Sequence, residues 1–110
     1  MTRVRKVKTL KELEEALAGK RAVIFKHSTR CPISAAARRQ FEAFAAAGKE
    51  DVTLYEIDVI ADRGISDEIA GRTGVPHHTP EVLFIRDGEV TGYKTHFNIR
   101  VETLETGMNP

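Results

Sequence analysis

Two short apolar runs restrict the fold of this chain most. Ala22-Val23-Ile24-Phe25 is uninterrupted by any polar residue, and Glu81 is followed by a second such run, Val82-Leu83-Phe84-Ile85. Short runs rich in β-formers and bounded by polar or turn residues read as strands buried on both faces. Such a strand needs a covering layer on each side, and the intervening segments carry helical signals. Thr9-Leu10-Lys11-Glu12 has the form of a capping box, with Thr9 as N-cap and Glu12 at the third helical position. Leu10, Leu13 and Leu17 follow at helical spacing and Gly19 ends the segment, so a helix is expected over 9–18. Pro32 opens a second, alanine-rich segment, a position where its missing N–H costs nothing. Ile33, Ala37, Phe41 and Phe44 share one face of the helix expected over 32–46.

The remaining elements complete an alternating order. A further strand is expected over 52–59. Asp62 or Ser66 can cap a third helix carrying Ile65 and Ile69 and ending near Gly74. Asp87-Gly88 is a two-residue hairpin turn into a strand over 89–95, and Asn98 can cap a last short helix bearing Val101 and Leu104. Alternating apolar and basic residues over 4–7 suggest an edge strand. The order (β)αβαβαββα implies an α/β fold with a mixed central sheet flanked by helices. A cysteine at the strand-to-helix turn and a proline just before the hairpin make this the pattern of a thioredoxin-like fold. At 110 residues the chain has room for one such domain and no second core.

The one cysteine, Cys31, falls where the second helix begins. Unpaired N–H groups and partial positive charge at a helix N-terminus stabilise an anion, so the position favours the thiolate, which is the nucleophilic form. Arg30 beside it and Lys26 before it can add positive potential. A lone cysteine is also often a small buried apolar residue, but Cys31 lies in a polar turn and off the stripe begun by Ile33. Cys31-Pro32-Ile33-Ser34 has the spacing of a Cys-x-x-Cys motif with Ser34 as the second member. Serine closes no disulfide, so a mixed disulfide at Cys31 requires an external thiol for its resolution. Ser34, three residues on, can place its hydroxyl over the sulfur.

Thr79-Pro80 is the second candidate element. The bond can be cis, or Pro80 can be an ordinary loop proline. In a thioredoxin-like fold a cis proline lies against the cysteine, and the backbone of the preceding residue, here Thr79, pairs with substrate like an added strand. His27, His77 and His78 are expected in the two loops that this fold joins. No pair of them has a metal-ligand spacing, so no metal site is expected. One histidine can tune the thiolate or contact substrate, or all can be ordinary loop polarity.

Composition excludes several classes. Seventeen basic and 16 acidic residues leave a net charge of +1, which gives no reason to expect nucleic acid. Arg3, Arg5, Lys6, Lys8 and Lys11 read as a solvated N-terminal face. No apolar run approaches the roughly 20 residues needed to cross a bilayer, and the N-terminus lacks the apolar stretch of a signal peptide. No membrane association is expected, and a single cysteine favours a reducing, cytoplasmic location.

Lys26-His27-Ser28-Thr29-Arg30-Cys31-Pro32-Ile33-Ser34 resembles the active-site signature of the monothiol bacilliredoxin family. Val75 and His77 with Thr79-Pro80-Glu81 resemble its proline loop, and Thr95-His96 with Asn98-Ile99 the start of its last helix. The likeness spans about 10–104. Thr79 and Glu81 stand where Ser and Gln are more usual, and Arg30 where Thr is commoner. Glu81 adds a charge that can alter substrate preference. The resemblance implies removal of bacillithiol, or a similar low-molecular-weight thiol, from mixed disulfides on client proteins. Bacillithiol would be a co-substrate, and no resident cofactor is implied. Cys31 would be the nucleophile and Ser34 would hold the place of the absent resolving cysteine. Thr79 and Pro80 would shape the substrate groove; Lys26 and His27 match the motif. Two other readings stay open: an iron–sulfur carrier of the monothiol-glutaredoxin type, and a non-catalytic adaptor. General dithiol activity is not expected, since the chain has no second thiol and no carboxylate on the strand Ala22 to Phe25.

Overall fold

The computed structural model describes residues 2–48 and 51–108. The elements are β1 (Val4–Lys6), α1 (Leu10–Leu17), β2 (Arg21–His27), α2 (Pro32–Ala47), β3 (Thr53–Asp58), α3 (Arg63–Thr73), β4 (Glu81–Arg86), β5 (Glu89–Thr95) and α4 (Val101–Met108). A single 3-10 turn, His96–Asn98, precedes α4. The strands form one sheet in the order β1-β3-β2-β4-β5. β1, β3 and β2 are parallel, whereas β4 runs antiparallel to β2 and β5 antiparallel to β4.

β2 is covered on both faces, as its apolar run requires. Val23 and Phe25 pack with Ala37, Phe41 and Phe44 of α2 and Leu104 and Met108 of α4. Ala22 and Ile24 point the other way, against Leu13 and Ala16 of α1 and Ile69 of α3. Burying one Phe, Leu or Ile side chain stabilises a fold by about 1.5–3 kcal/mol, so both layers contribute substantially. The Glu12 N–H donates to Thr9 Oγ1 at 3.1 Å, which completes the expected cap of α1. Asp87 and Gly88 both have positive φ (49° and 79°), the geometry of a type I′ turn that matches the twist of β4 and β5. Gly74 ends α3 in the left-handed conformation, φ 72°.

Several local expectations are corrected. β2 extends through Lys26 and His27, and both are buried. The inner stripe of α2 begins at Ser34, which is fully buried, and runs through Ala37, Phe41 and Phe44; Ile33 lies to one side and is half-buried. Spacings of three and four from Phe41 lead back to Ala37 and Ser34, so helical geometry, not polarity, assigns the inner position. Asp62 is the N-cap of α3, but its side chain makes no capping bond, and Ser66 lies buried inside the helix. Asn98 belongs to the 3-10 turn and does not cap α4. Thr103 does the local bonding there, with its hydroxyl on the Asn98 carbonyl at 2.5 Å. Lys6 and Lys8 are not simply solvated: Lys6 pairs with Glu56 and Lys8 with Asp62. Among the described residues no helix is long and apolar enough to cross a membrane.

The sheet also fixes where a site can form. α2 leaves β2 toward one face, and α3 leaves the neighbouring β3 toward the other. Open α/β sheets bind ligands in the crevice at the carboxyl ends of two such strands. Cys31 starts α2 at that crevice.

Candidate active site

Cys31 is the N-cap of α2, with extended backbone (φ −110°, ψ 119°) and Pro32 as the first helical residue. An N-cap side chain usually accepts from the first-turn N–H groups. Here the Cys31 side chain makes no capping bond and is partly exposed. The sulfur is uncommitted, on the residue that caps a helix whose first-turn N–H groups have no intrahelical partner. The backbone of the turn is held separately: the Ala35 N–H donates to the Cys31 carbonyl at 3.0 Å, and the Arg30 N–H to Ser28 Oγ at 3.3 Å.

Ser34 does not place its hydroxyl over the sulfur, as its spacing suggested. Its Oγ accepts from the Ser28 N–H at 2.9 Å and lies 2.7 Å from His27 Nδ1. With Ser28 donating, the serine proton is free to go to His27 Nδ1, which then acts as acceptor in a neutral imidazole. Burial, followed by the Arg38 charge, holds the His27 titration below the usual histidine range, in agreement with that form. Ser34 thus ties the Cys31 turn to the end of β2. His27 is a strand residue, not a loop residue, and its ring stacks at a tilt on Phe25, 5.5 Å away.

Lys26 is also displaced from its expected role. Its side chain has no exposed surface, and neither does that of Glu81, which lies directly across the β2–β4 ladder. The ammonium is 3.4 Å from Glu81 Oε1 and 2.6 Å from His77 Nδ1. Glu81 therefore does not face substrate; it counters the Lys26 charge inside the sheet, and its carboxylate completes no hydrogen bond among the described residues. Burial pushes the carboxyl up and the ammonium down, and their mutual attraction opposes both shifts. β2 lacks a carboxylate over Ala22 to Phe25, but the neighbouring strand supplies a buried one. The sequence carries no local signal of this pairing, because it depends on register.

The Thr79–Pro80 peptide is cis. The Pro80 carbonyl accepts from the His96 N–H at 3.0 Å, and His96 holds positive φ (51°), a strained state for a non-glycine residue. The proline loop and the turn before α4 are thereby joined. His77 links this loop to β2: its Nδ1 faces Lys26, and its Nε2 lies 3.3 Å from Thr79 Oγ1. Lysine can only donate, so Nδ1 accepts, Nε2 carries the proton and donates to Thr79, and the Thr79 hydroxyl keeps its own proton for another partner. Burial and the Lys26 charge depress the His77 titration, which preserves this direction of donation.

The expected site residues therefore fall into two linked sets, His27 with Ser34 and Lys26 with His77 and Thr79, on either side of the turn that carries Arg30 and Cys31. His78 stays outside both, its ring 6.2 Å from that of His96. Among the described residues no group of three or more His, Cys, Asp and Glu side chains could hold a metal ion.

Fold and site together define a monothiol protein of the thioredoxin fold. Comparison with known proteins gives the same class. The chain is 31% identical, with a TM-score of 0.87, to a structure described as a candidate oxidoreductase with a thioredoxin fold; the match covers 94% of this chain and 92% of that one. Mitochondrial thioredoxin 3 from Saccharomyces cerevisiae has the same fold at 20% identity and TM-score 0.76, over 96% and 93% of the two chains. Thioredoxin from Trypanosoma brucei brucei aligns at 17% and 0.78, over 97% and 88%. Residues 2–104 match the family of the monothiol bacilliredoxin BrxC, and the chain belongs to that family. Fold and family support a thiol-oxidoreductase-like role.

Proposed function

We propose that the protein removes a low-molecular-weight thiol, bacillithiol or one like it, from mixed disulfides on protein cysteines. The observation that carries this reading is an uncommitted Cys31 sulfur at the start of α2, with Ser34 in the second position of the motif and bonded elsewhere. The Cys31 thiolate attacks the sulfur of the small thiol. A new S–S bond forms at Cys31, the old S–S bond breaks, and the client sulfur leaves with the electron pair and takes a proton from solvent. An external thiol then attacks the Cys31 adduct and restores the thiolate.

Thr79 and Pro80 shape the groove in which the client chain lies, pairing with it like an added strand, and the Thr79 hydroxyl is a donor beside that groove. Lys26 and His77 orient that hydroxyl. His27 positions the Cys31 turn through Ser34. Bacillithiol is a co-substrate, S-thiolated proteins are the partners, and the reducing cytoplasm is the fitting compartment.

The test is intact-mass spectrometry of reduced protein mixed with a bacillithiol-modified peptide, with Cys31→Ser as control. Transfer of the adduct to Cys31, release of free peptide and no transfer to the variant are expected. Failure of Cys31 to load from bacillithiol, glutathione or any other small-thiol mixed disulfide would refute the reading.

A further inference from the structure

A groove of ≈ 350 Å³ opens at the crevice between the starts of α2 and α3. Arg30, Ile60, Arg63, Ser66, Asp67 and His77 are among its lining residues. Its volume falls within the range of small-molecule sites, and Arg30 borders it as the residue immediately before the nucleophile. The Arg30 and Arg63 side chains make no ion pair or hydrogen bond among the described residues. Three other arginines are paired, Arg21 with Asp51, Arg38 with Glu56, and Arg72 with Glu68.

The charges facing the groove can be counted from every wall. Arg30 comes from the β2–α2 turn, Arg63 and Asp67 from α3, and His77 from the proline loop. Lys26 lies behind His77, and Glu81 counters it. His77 is neutral in the arrangement described above. Two guanidiniums against one carboxylate leave a net positive groove. The Ser66 hydroxyl, fully buried and 3.4 Å from His77 Nδ1, adds polarity to its wall. Guanidinium presents paired donors in the geometry of a carboxylate, and such bonds are stronger than neutral ones.

We infer that the Arg30–Arg63 groove is a carboxylate-binding subsite that selects an anionic low-molecular-weight thiol and presents its sulfur to Cys31. This rests on the function proposed above and adds the charge class of the thiol. It also assigns Arg63, which no motif in the sequence marked, as a specificity-determining residue. The groove takes only His77 from the proline loop, and Thr79, Pro80 and the turn before α4 are not among its lining residues, so the bound thiol leaves those to the client chain.

One peptide is prepared as two mixed disulfides, with mercaptosuccinate, a dicarboxylate, and with mercaptoethanol, which is uncharged. Thiol transfer to Cys31 is followed for the wild type, Arg30→Gln/Arg63→Gln and a control, Arg86→Gln, on the far end of β4. The ratio of kcat/KM values, mercaptosuccinate over mercaptoethanol, is expected to fall about tenfold in the double variant, as for two partly exposed charge contacts. It should fall with added salt in the wild type and stay at the wild-type value in Arg86→Gln. An unchanged ratio in the double variant overturns the subsite, even where both disulfides react. A second readout does not depend on transfer. Succinate is titrated into Cys31→Ser protein and followed by amide NMR shifts. Shifts confined to 59–67 and the segment around Arg30 and His77, lost in the double variant, are expected. No shifts there overturn the subsite, whereas shifts without any thiol transfer would sink only the proposed function.

Discussion

Lys26 and Glu81 place two charges where no water reaches either side chain. Removing one partner of such a pair leaves the other uncompensated, while removing both can be nearly neutral. Lys26→Met is expected to cost about 3–5 kcal/mol in urea unfolding, and Lys26→Met/Glu81→Leu to recover most of that loss. Additive losses in the double variant would contradict the pairing. Ser34 gives a chemical prediction. Ser34→Cys puts a second thiol in the motif position, and mild oxidation should then close a disulfide between Cys31 and the introduced thiol, read as the loss of two hydrogens and of both free thiols. Persistence of two free thiols would show the positions to be out of reach. His27 and His77 set a pH dependence. Both native titrations are depressed, so below about 6.5, the ordinary histidine value, the unfolded chain binds more protons than the native one. Stability from this source is present above that pH and is lost as pH falls toward the native values. The urea midpoint should drop from pH 7.5 to 5.5, and His77→Gln should flatten the drop. An equal drop in the variant would remove His77 from the account. The place of Cys31 at the start of α2, the missing second thiol and the proline before β4 were legible at this scale because each is a local motif. Lys26, His27 and Glu81 were misplaced because their surroundings are set by strand register.

Elements were read well where periodicity is strong and less well at their ends. Both faces of β2, the capping box of α1 and the Asp87-Gly88 turn follow from local spacing and local chemistry. The stripe of α2 was misread by one residue, since Ile33 is the apolar neighbour of a serine that helical spacing turns inward. The last helix starts later than expected, because Thr103 and not Asn98 supplies its bonding. The sheet makes a prediction at this scale. β1 is a three-residue edge strand paired only with β3, whereas β2 has a partner on each side. Amide exchange should therefore be slowest in Val23, Ile24 and Phe25 and fastest, among strands, in β1. Comparable protection in β1 would mean that its edge is covered by something outside this chain.

The whole molecule has two apolar layers that touch through one sheet. Phe41→Ala on the α2 face should cost about 3–5 kcal/mol and Leu13→Ala on the α1 face about 2–5 kcal/mol. Each should lower the same single transition, because both layers share β2 and β4. A second unfolding step in either variant would show that the faces melt separately. The α/β order was legible from the alternation of buried runs and capped helices. The crevice was not, because it exists only once α2 and α3 diverge to opposite faces, and Arg63 therefore carried no signal. The serine at position 34 also bears on how the protein behaves in a population. A resolving group on the same chain would act at a fixed local concentration, on the order of millimolar for a short tether, whatever surrounds it. With one thiol per chain, clearance of the adduct proposed above is second order, and its rate rises and falls with the free thiol pool. On the proposed function, the fraction of chains carrying an adduct would be a running record of how depleted that pool is.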